Sequence, residues 1–325
     1  MLQALVNVAG RLLNDLHRGL FRNLPSGRAG EVADARPVAS RSPRRYRPLK
    51  RVTLTDEVGR TLFEEFAAHR KGERGDEETG WVILGLREEE EAVVLATLPA
   101  GTQRSAGVAH VQFSSGGQAL ASRIVRQADR RLVTLGVVHT HPGSLRHPSD
   151  GDYRGDSEWV GQLRGEEGVF GIGTADGSAT NGALFARQPK PNVQCLGDLC
   201  LSWYALRKGQ PAYRPLPHGL TLGPDLARGL HPLWSTLEAY AEQLDRLARQ
   251  QAGVTFEVTA GSHGAALAVN VPLAEPGDGV RVCLEGKEVR YFLRRGGDLL
   301  AADFREDRVD RGLYLLLAEL TVNGS

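Results

Sequence analysis

The segment that most restricts the fold is an apolar, β-branched run over 132–139 that ends in His139-Thr140-His141-Pro142-Gly143. A short run of this kind reads as a strand buried on both faces. Side chains on a strand alternate sides, so His139 and His141 point the same way and can hold one ion together. Pro142 and Gly143 then turn the chain, and Pro148 stands just ahead of a helix start. That turn can bring Asp152 back to the two imidazoles. Two histidines and one carboxylate leave a zinc ion one open position, the donor set of a catalytic zinc site. In such a site zinc lowers the pKa of bound water towards about 7.

The complete pattern is His-x-His, seven residues, then Ser149-x-x-Asp152. With 9 His, 15 Ser and 17 Asp in 325 residues, it should arise in roughly 6 of 10,000 random chains of this composition, so coincidence is a poor account of it. A structural reading stands beside the chemical one. The histidines can end a strand, and Ser149 with Asp152 can form a capping box at a helix N-terminus. The two readings are compatible, because a capped helix would also hold Asp152 in place. His147 breaks the spacing and reads as an ordinary loop residue. Hydrolysis also needs a base, and Glu78 directly precedes an apolar strand over 81–86, where its side chain can face a cleft. Asp76 and Glu77 read as a solvated acidic loop.

Around this centre the chain falls into three parts. Residues 1–51 comprise an amphipathic helix over 1–22 and an Arg/Pro-rich linker, with eleven basic residues against three acidic ones. The helix is expected to pack on protein, with contact to a membrane surface as the second reading. Residues 52–190 form the catalytic domain. Thr55 caps a helix over 56–70, strands follow at 81–86 and 92–98, another helix at 117–130, then the strand into His139 and strands at 169–174 and 183–186. Residues 187–222, rich in Pro and Gly, read as a connection. Residues 191–325 form a C-terminal α+β domain with a helix over 224–251, strands near 254–259, 265–271, 280–284 and 288–293, and a last helix at 311–319. The fold class is therefore mixed α/β, a sheet flanked by helices plus a C-terminal α+β domain. No apolar run approaches the roughly 20 residues that span a membrane. The net charge of +1 gives no electrostatic case for binding nucleic acid. Three scattered cysteines make neither a disulfide framework nor a Cys-x-x-Cys pair, so a cytoplasmic setting is expected.

These residues resemble the JAMM family, also called MPN+ or JAB metallopeptidases. The likeness rests on Glu78-Thr79-Gly80 with Gly85 seven residues after the glutamate, on His139-x-His141, and on Ser149-x-x-Asp152. It covers roughly 52–187, with Trp81 where many members have a second glycine. The resemblance implies that His139, His141 and Asp152 bind Zn2+ and that Glu78 deprotonates the water. It also implies that Ser149 donates to the oxyanion, a hydrogen bond typically worth about 3 kcal/mol. The implied substrates are bonds after the C-terminal glycine of ubiquitin or a ubiquitin-like protein, with activating and conjugating enzymes of the same pathway as further partners. Two alternatives follow from the same superfamily: a DNA-repair-associated JAMM-like protein, and an inactive MPN scaffold.

Overall fold

The computed structural model describes residues 46–100, 115–176 and 187–323. The helix expected over 1–22, the linker up to residue 45 and the strand expected at 183–186 lie outside the described residues. The chain divides into two compact units. Among the described residues, the first holds 46–95 and 132–224, and the second holds 96–100, 115–131 and 225–323.

In chain order the elements up to the division are β1 (Arg51–Thr55), α1 (Asp56–Lys71), β2 (Gly80–Arg87), β3 (Glu91–Pro99), α2 (Gly116–Ala128), β4 (Val133–Thr140), α3 (Asp150–Trp159) and β5 (Glu167–Thr174). Then come β6 (Arg187–Lys190), β7 (Val193–Leu196), β8 (Leu199–Arg207), β9 (Arg214–Pro215) and β10 (His218–Thr221). The strands of the first unit form one sheet in the order β10-β1-β3-β2-β4-β5-β8-β7-β6, with β9 paired to β8. β4 lies inside this sheet, parallel to β5 and antiparallel to β2. Every residue of β4 but Thr134 is buried, as the unbroken apolar run requires.

The two faces of the sheet are read directly from alternation. Val138 joins Leu54, Leu62, Phe66, Ile83 and Trp203 in the core beneath α1. Its neighbour Val137 joins Trp159, Val160, Phe170 and Leu206 on the α3 side. The period of two therefore sends His139 to the α3 side as well. α1 forms where the sequence supplies its signals. Thr55 Oγ1 accepts from Val58 N at 3.3 Å, acidic Asp56 and Glu57 open the helix, and His69, Arg70 and Lys71 close it, complementing its dipole. Its apolar stripe of Val58, Leu62, Phe63 and Phe66 is buried, each large side chain contributing about 1.5–3 kcal/mol. Two glycines are fixed by close approach. A Cβ on Gly85 would run into the carbonyl of Val93, and one on Gly136 (φ +152°) into the carbonyl of Val169. Gly136 lies opposite Ile83, at the point where the β2–β4 register shifts before Leu84 and Thr134, so the irregularity on the way to His139 is built on glycine.

Residues 187–222, expected as a connection, instead supply β6 to β10 and complete the first sheet. The boundary expected at 190/191 therefore does not match the division of the chain at Pro224. β8 pairs with β5 over eight residues, from Glu167↔Arg207 to Thr174↔Cys200. β6, β7, β9 and β10 are only two to four residues long and are broken by prolines, so they carry no readable period. The β7–β8 hairpin places Cys195 opposite Cys200, and the two are disulfide-bonded. The sequence reading missed this pair because cross-strand register, not spacing, brings the two sulfurs together.

The second unit contains α2, a 3-10 turn at Arg228–Leu233, α4 (Trp234–Gln250), β11 (Thr255–Ala260), β12 (Ala265–Pro272), β13 (Gly279–Glu285), β14 (Glu288–Arg295), β15 (Asp298–Ala301) and α5 (Val309–Asn323). The five strands are an antiparallel meander in sequence order. α2 packs on α4, with Leu120, Ala121 and Val125 buried on one helix and Leu237, Ala241 and Leu244 on the other, and Arg123 paired to Asp245 at 2.9 Å. α2, expected inside 52–190, thus belongs to the second unit. The strand β15 was not expected. All four of its residues are exposed, so no alternation marks it.

Candidate metal centre

The end of β4 is clamped on both sides. Thr140 N donates to Thr79 O at 2.8 Å, and Thr79 N donates to Thr140 Oγ1 at 2.9 Å. His141 N donates to Gly173 O of β5 at 2.8 Å. These bonds hold the Glu78-Thr79 segment beside the two histidines. His139 and His141 are both buried, and their Nε2 atoms converge to 3.0 Å. His141 Nδ1 lies 2.7 Å from Leu145 O. A carbonyl only accepts, so Nδ1 carries the proton and Nε2 keeps its lone pair for a ligand.

α3 supplies the third group. Ser149 is its N-cap in a complete capping box with Asp152. Ser149 N and Oγ donate to Asp152 Oδ2 at 2.6 and 2.8 Å. The carboxylate then meets the histidines, with Oδ1 at 3.2 Å from His139 Nε2 and Oδ2 at 3.4 Å from His141 Nε2. A tetrahedral zinc ion with bonds of about 2.0–2.1 Å keeps its ligand atoms about 3.3 Å apart. The Nε2–Nε2 separation of 3.0 Å and the 3.2 Å from His139 Nε2 to Asp152 Oδ1 lie close to that edge length, and the three residues offer one ligand atom each within 4.8 Å of one another, a group able to hold a metal ion. The donor set fits zinc, with Ser149 and Leu145 as the outer groups that aim it.

Glu78 is 4% exposed, and its Oε2 is buried without a hydrogen-bond partner. Burial pushes this carboxyl up to about 7, with His141 pulling it down and Asp152 adding to the rise. Burial would raise Asp152 too, but the hydrogen bonds with His139 and His141 outweigh it and hold Asp152 well below the usual carboxylate range. Burial pulls His141 down, and its bonds to Asp152 and Leu145 more than reverse this, leaving it raised. Two adjacent carboxyls are thus pushed in opposite directions, which separates a ligand from a proton acceptor. Glu77 is not in the site. It pairs with Arg74, and its carbonyl accepts from His69 Nε2 at 2.9 Å. Asp76 is exposed. Trp81 fills the α1-side core and donates Nε1 to Glu65 at 2.6 Å, so the glycine it replaces is not missed by the metal ligands.

The five residues singled out from the sequence lie in one neighbourhood. The Ser149 hydroxyl donates to Asp152 there. Sequence reasoning missed the ground behind α3. Asp156 accepts from Tyr213 Oη at 2.7 Å and Trp159 Nε1 at 3.1 Å, and burial pushes it up to about 7. The available signal was its place four residues after Asp152, on the same helix face. The loop between His141 and Ser149 is braced by Arg146, paired with Asp176 at 3.0 Å, and by Tyr204 Oη donating to Arg146 O at 2.7 Å. His147 is on this loop and outside the metal group.

Residues 59–186 match the family described as prokaryotic homologs of the JAB domain, and the five site residues fall within the matched stretch. No curated protein matches the chain. Among solved structures, the chain is similar to the solution structure of protein DSY2949 from Desulfitobacterium hafniense. The identity is 16%, the alignment covers 53% of this chain and 94% of that one, and the TM-score is 0.33. No helix among the described residues is long and apolar enough to cross a membrane.

Proposed function

We propose that the chain is a zinc-dependent peptidase or isopeptidase that cleaves after the C-terminal glycine of a ubiquitin-like protein, maturing a precursor or releasing a conjugate. The observation that carries this reading is the convergence of one ligand atom each from His139, His141 and Asp152 within 4.8 Å, with Glu78, whose Oε2 is buried without a partner, in electrostatic reach of His141 and Asp152. A zinc ion held by these three residues would supply Lewis acidity, polarising the substrate carbonyl and lowering the pKa of water. The chain's own residues do the rest. Asp152 stays ionised as a ligand because both histidines and Ser149 hydrogen-bond it. Glu78, raised to about 7, takes a proton at Oε2 near neutral pH and returns it to the leaving amine. Turning the Ser149 hydroxyl away from Asp152 would let it donate to the carbonyl oxygen, the role the family likeness implies.

On this reading the partners are a ubiquitin-like protein or its conjugates, together with activating and conjugating enzymes of one pathway, in a cytoplasmic setting. Glycine at the cleaved position suits the site because it lets the substrate backbone approach closely. The test is cleavage of folded ubiquitin-like fusions that carry Gly or Val before the scissile bond, by zinc-loaded wild type and by Glu78→Gln. The glycine fusions are cut much faster than the valine ones, and Glu78→Gln loses at least the 10²–10⁴-fold typical of a general base. Equal cutting of unstructured peptides overturns the modifier reading. Absence of turnover with zinc bound leaves the inactive MPN scaffold.

A further inference from the structure

Beside the metal centre, on the α3 side of the sheet, lies a cleft of about 240 Å³ walled by Pro148, Ser149, Tyr153, Tyr204, Pro211 and Tyr213. We propose that this cleft is a side-chain subsite that takes one large apolar residue of the substrate next to the cleaved bond. The inference rests on the peptidase reading and adds to it a residue preference and the groups that set it.

Position comes first. Ser149 is both a wall of the cleft and the residue whose N–H and hydroxyl hold Asp152 Oδ2 at 2.6 and 2.8 Å. One residue therefore separates the cleft from a metal ligand. An extended chain advances about 3.3–3.6 Å per residue, so the neighbour of the cleaved bond is the part of a bound chain within reach. That shared wall, Ser149, selects the substrate as the occupant of the cleft.

The chemistry of the walls selects the side chain. All three tyrosine hydroxyls are directed at acceptors of the protein itself: Tyr204 to Arg146 O at 2.7 Å, Tyr153 to Gln210 O at 2.9 Å and Tyr213 to Asp156 Oδ2 at 2.7 Å. What the rings present to the cleft is carbon, Pro148 and Pro211 add walls without an N–H, and His147 and Asp150 supply its polar lining. The rings are also held in place. Tyr213 meets Tyr153 and Phe170 edge-on at 6.2 and 5.3 Å, and Phe170 meets Trp159 at 5.7 Å. A wall fixed in advance loses little freedom when a ligand enters. Size decides between a residue and a larger ligand. Pockets for whole small molecules run to about 300–1,000 Å³, and this cleft falls below that range, which suits a single leucine- or phenylalanine-sized group.

The experiment uses the full zinc-loaded chain and a set of folded fusions that keep Gly before the cleaved bond and carry Ala, Leu, Phe, Asp or Lys at the position after it. Ala212 also borders the cleft and is exposed, so Ala212→Phe can fill the space without disturbing the core. The readout is the ratio of kcat/KM for Leu or Phe over Ala at that position. Wild type favours the large apolar residue roughly 10–100-fold, the scale of apolar pocket discrimination. Ala212→Phe brings that ratio towards one while its zinc content and circular dichroism match wild type. A wild type that cuts the fusions with no flanking preference, or an unchanged ratio in Ala212→Phe, overturns the subsite and leaves the peptidase reading standing. A zinc-loaded wild type that cuts none of the set overturns both.

Discussion

At the scale of single residues, the centre works by giving chemically similar groups dissimilar surroundings. Asp152 is braced by two imidazoles and by Ser149, whereas Glu78 is buried with Oε2 unmatched. This contrast has a stability consequence in the metal-free protein. Glu78 is raised to about 7 when folded, so its favourable contribution is present at low pH and is lost as pH rises towards and through 7. Glu78→Gln removes that loss. After chelation, the variant should therefore gain stability over wild type between pH 5 and pH 8, by up to about 3 kcal/mol at 1.36 kcal/mol per unit. Urea unfolding at several pH values checks this, and a difference independent of pH contradicts the burial of a titrating Glu78. Ser149→Ala separates the two tasks assigned to that hydroxyl. If it positions Asp152, the variant binds zinc about 10–100-fold more weakly in chelator competition and loses about 1 kcal/mol with its cap. Unchanged zinc affinity with lost turnover would instead make it an oxyanion donor. The ligands were legible because a strand period and a helix cap fix them within fourteen residues of sequence. Asp156 and the tyrosines of 204 and 213 were not, since only tertiary packing brings β8 and the following loop against α3.

At the scale of elements, legibility follows length and locality. β4 and α1 each carry their own signals: an unbroken apolar run in one, and a Thr55 cap with an apolar stripe in the other. The short strands β6, β7, β9 and β10 carry none, because they are two to four residues long and Pro191, Pro215 and Pro217 stand in or beside them. β10 pairs with distant β1, and β7 and β9 with β8. The β7–β8 hairpin makes the sharpest correction, since it joins Cys195 to Cys200 and leaves Cys283 free. Thiol titration of the denatured chain should find one reactive thiol without reductant and three after reduction. Three in both conditions would show the pair reduced in the isolated protein.

At the scale of the whole molecule, the catalytic domain was expected to end at residue 190, whereas the first compact unit runs 34 residues further, to Pro224. The cause is that β8, in the middle of the presumed connection, is a full partner of β5. α2 moved the other way, joining the second unit through α4; its apolar face was readable, but the identity of its packing partner was not. These shifts leave the metal centre intact, because Glu78, His139, His141, Ser149 and Asp152 all lie in the first compact unit, between Glu78 and Asp176. They also set apart the cysteines, all of which are outside that stretch. The most direct test is therefore the zinc content of the full chain after equilibration with zinc and desalting, measured for wild type, His141→Ala and Cys195→Ser. One zinc per chain is expected in wild type and in Cys195→Ser, with little or none in His141→Ala. Full occupancy in His141→Ala, or no zinc in wild type, would contradict the assignment of His139, His141 and Asp152 as the metal centre.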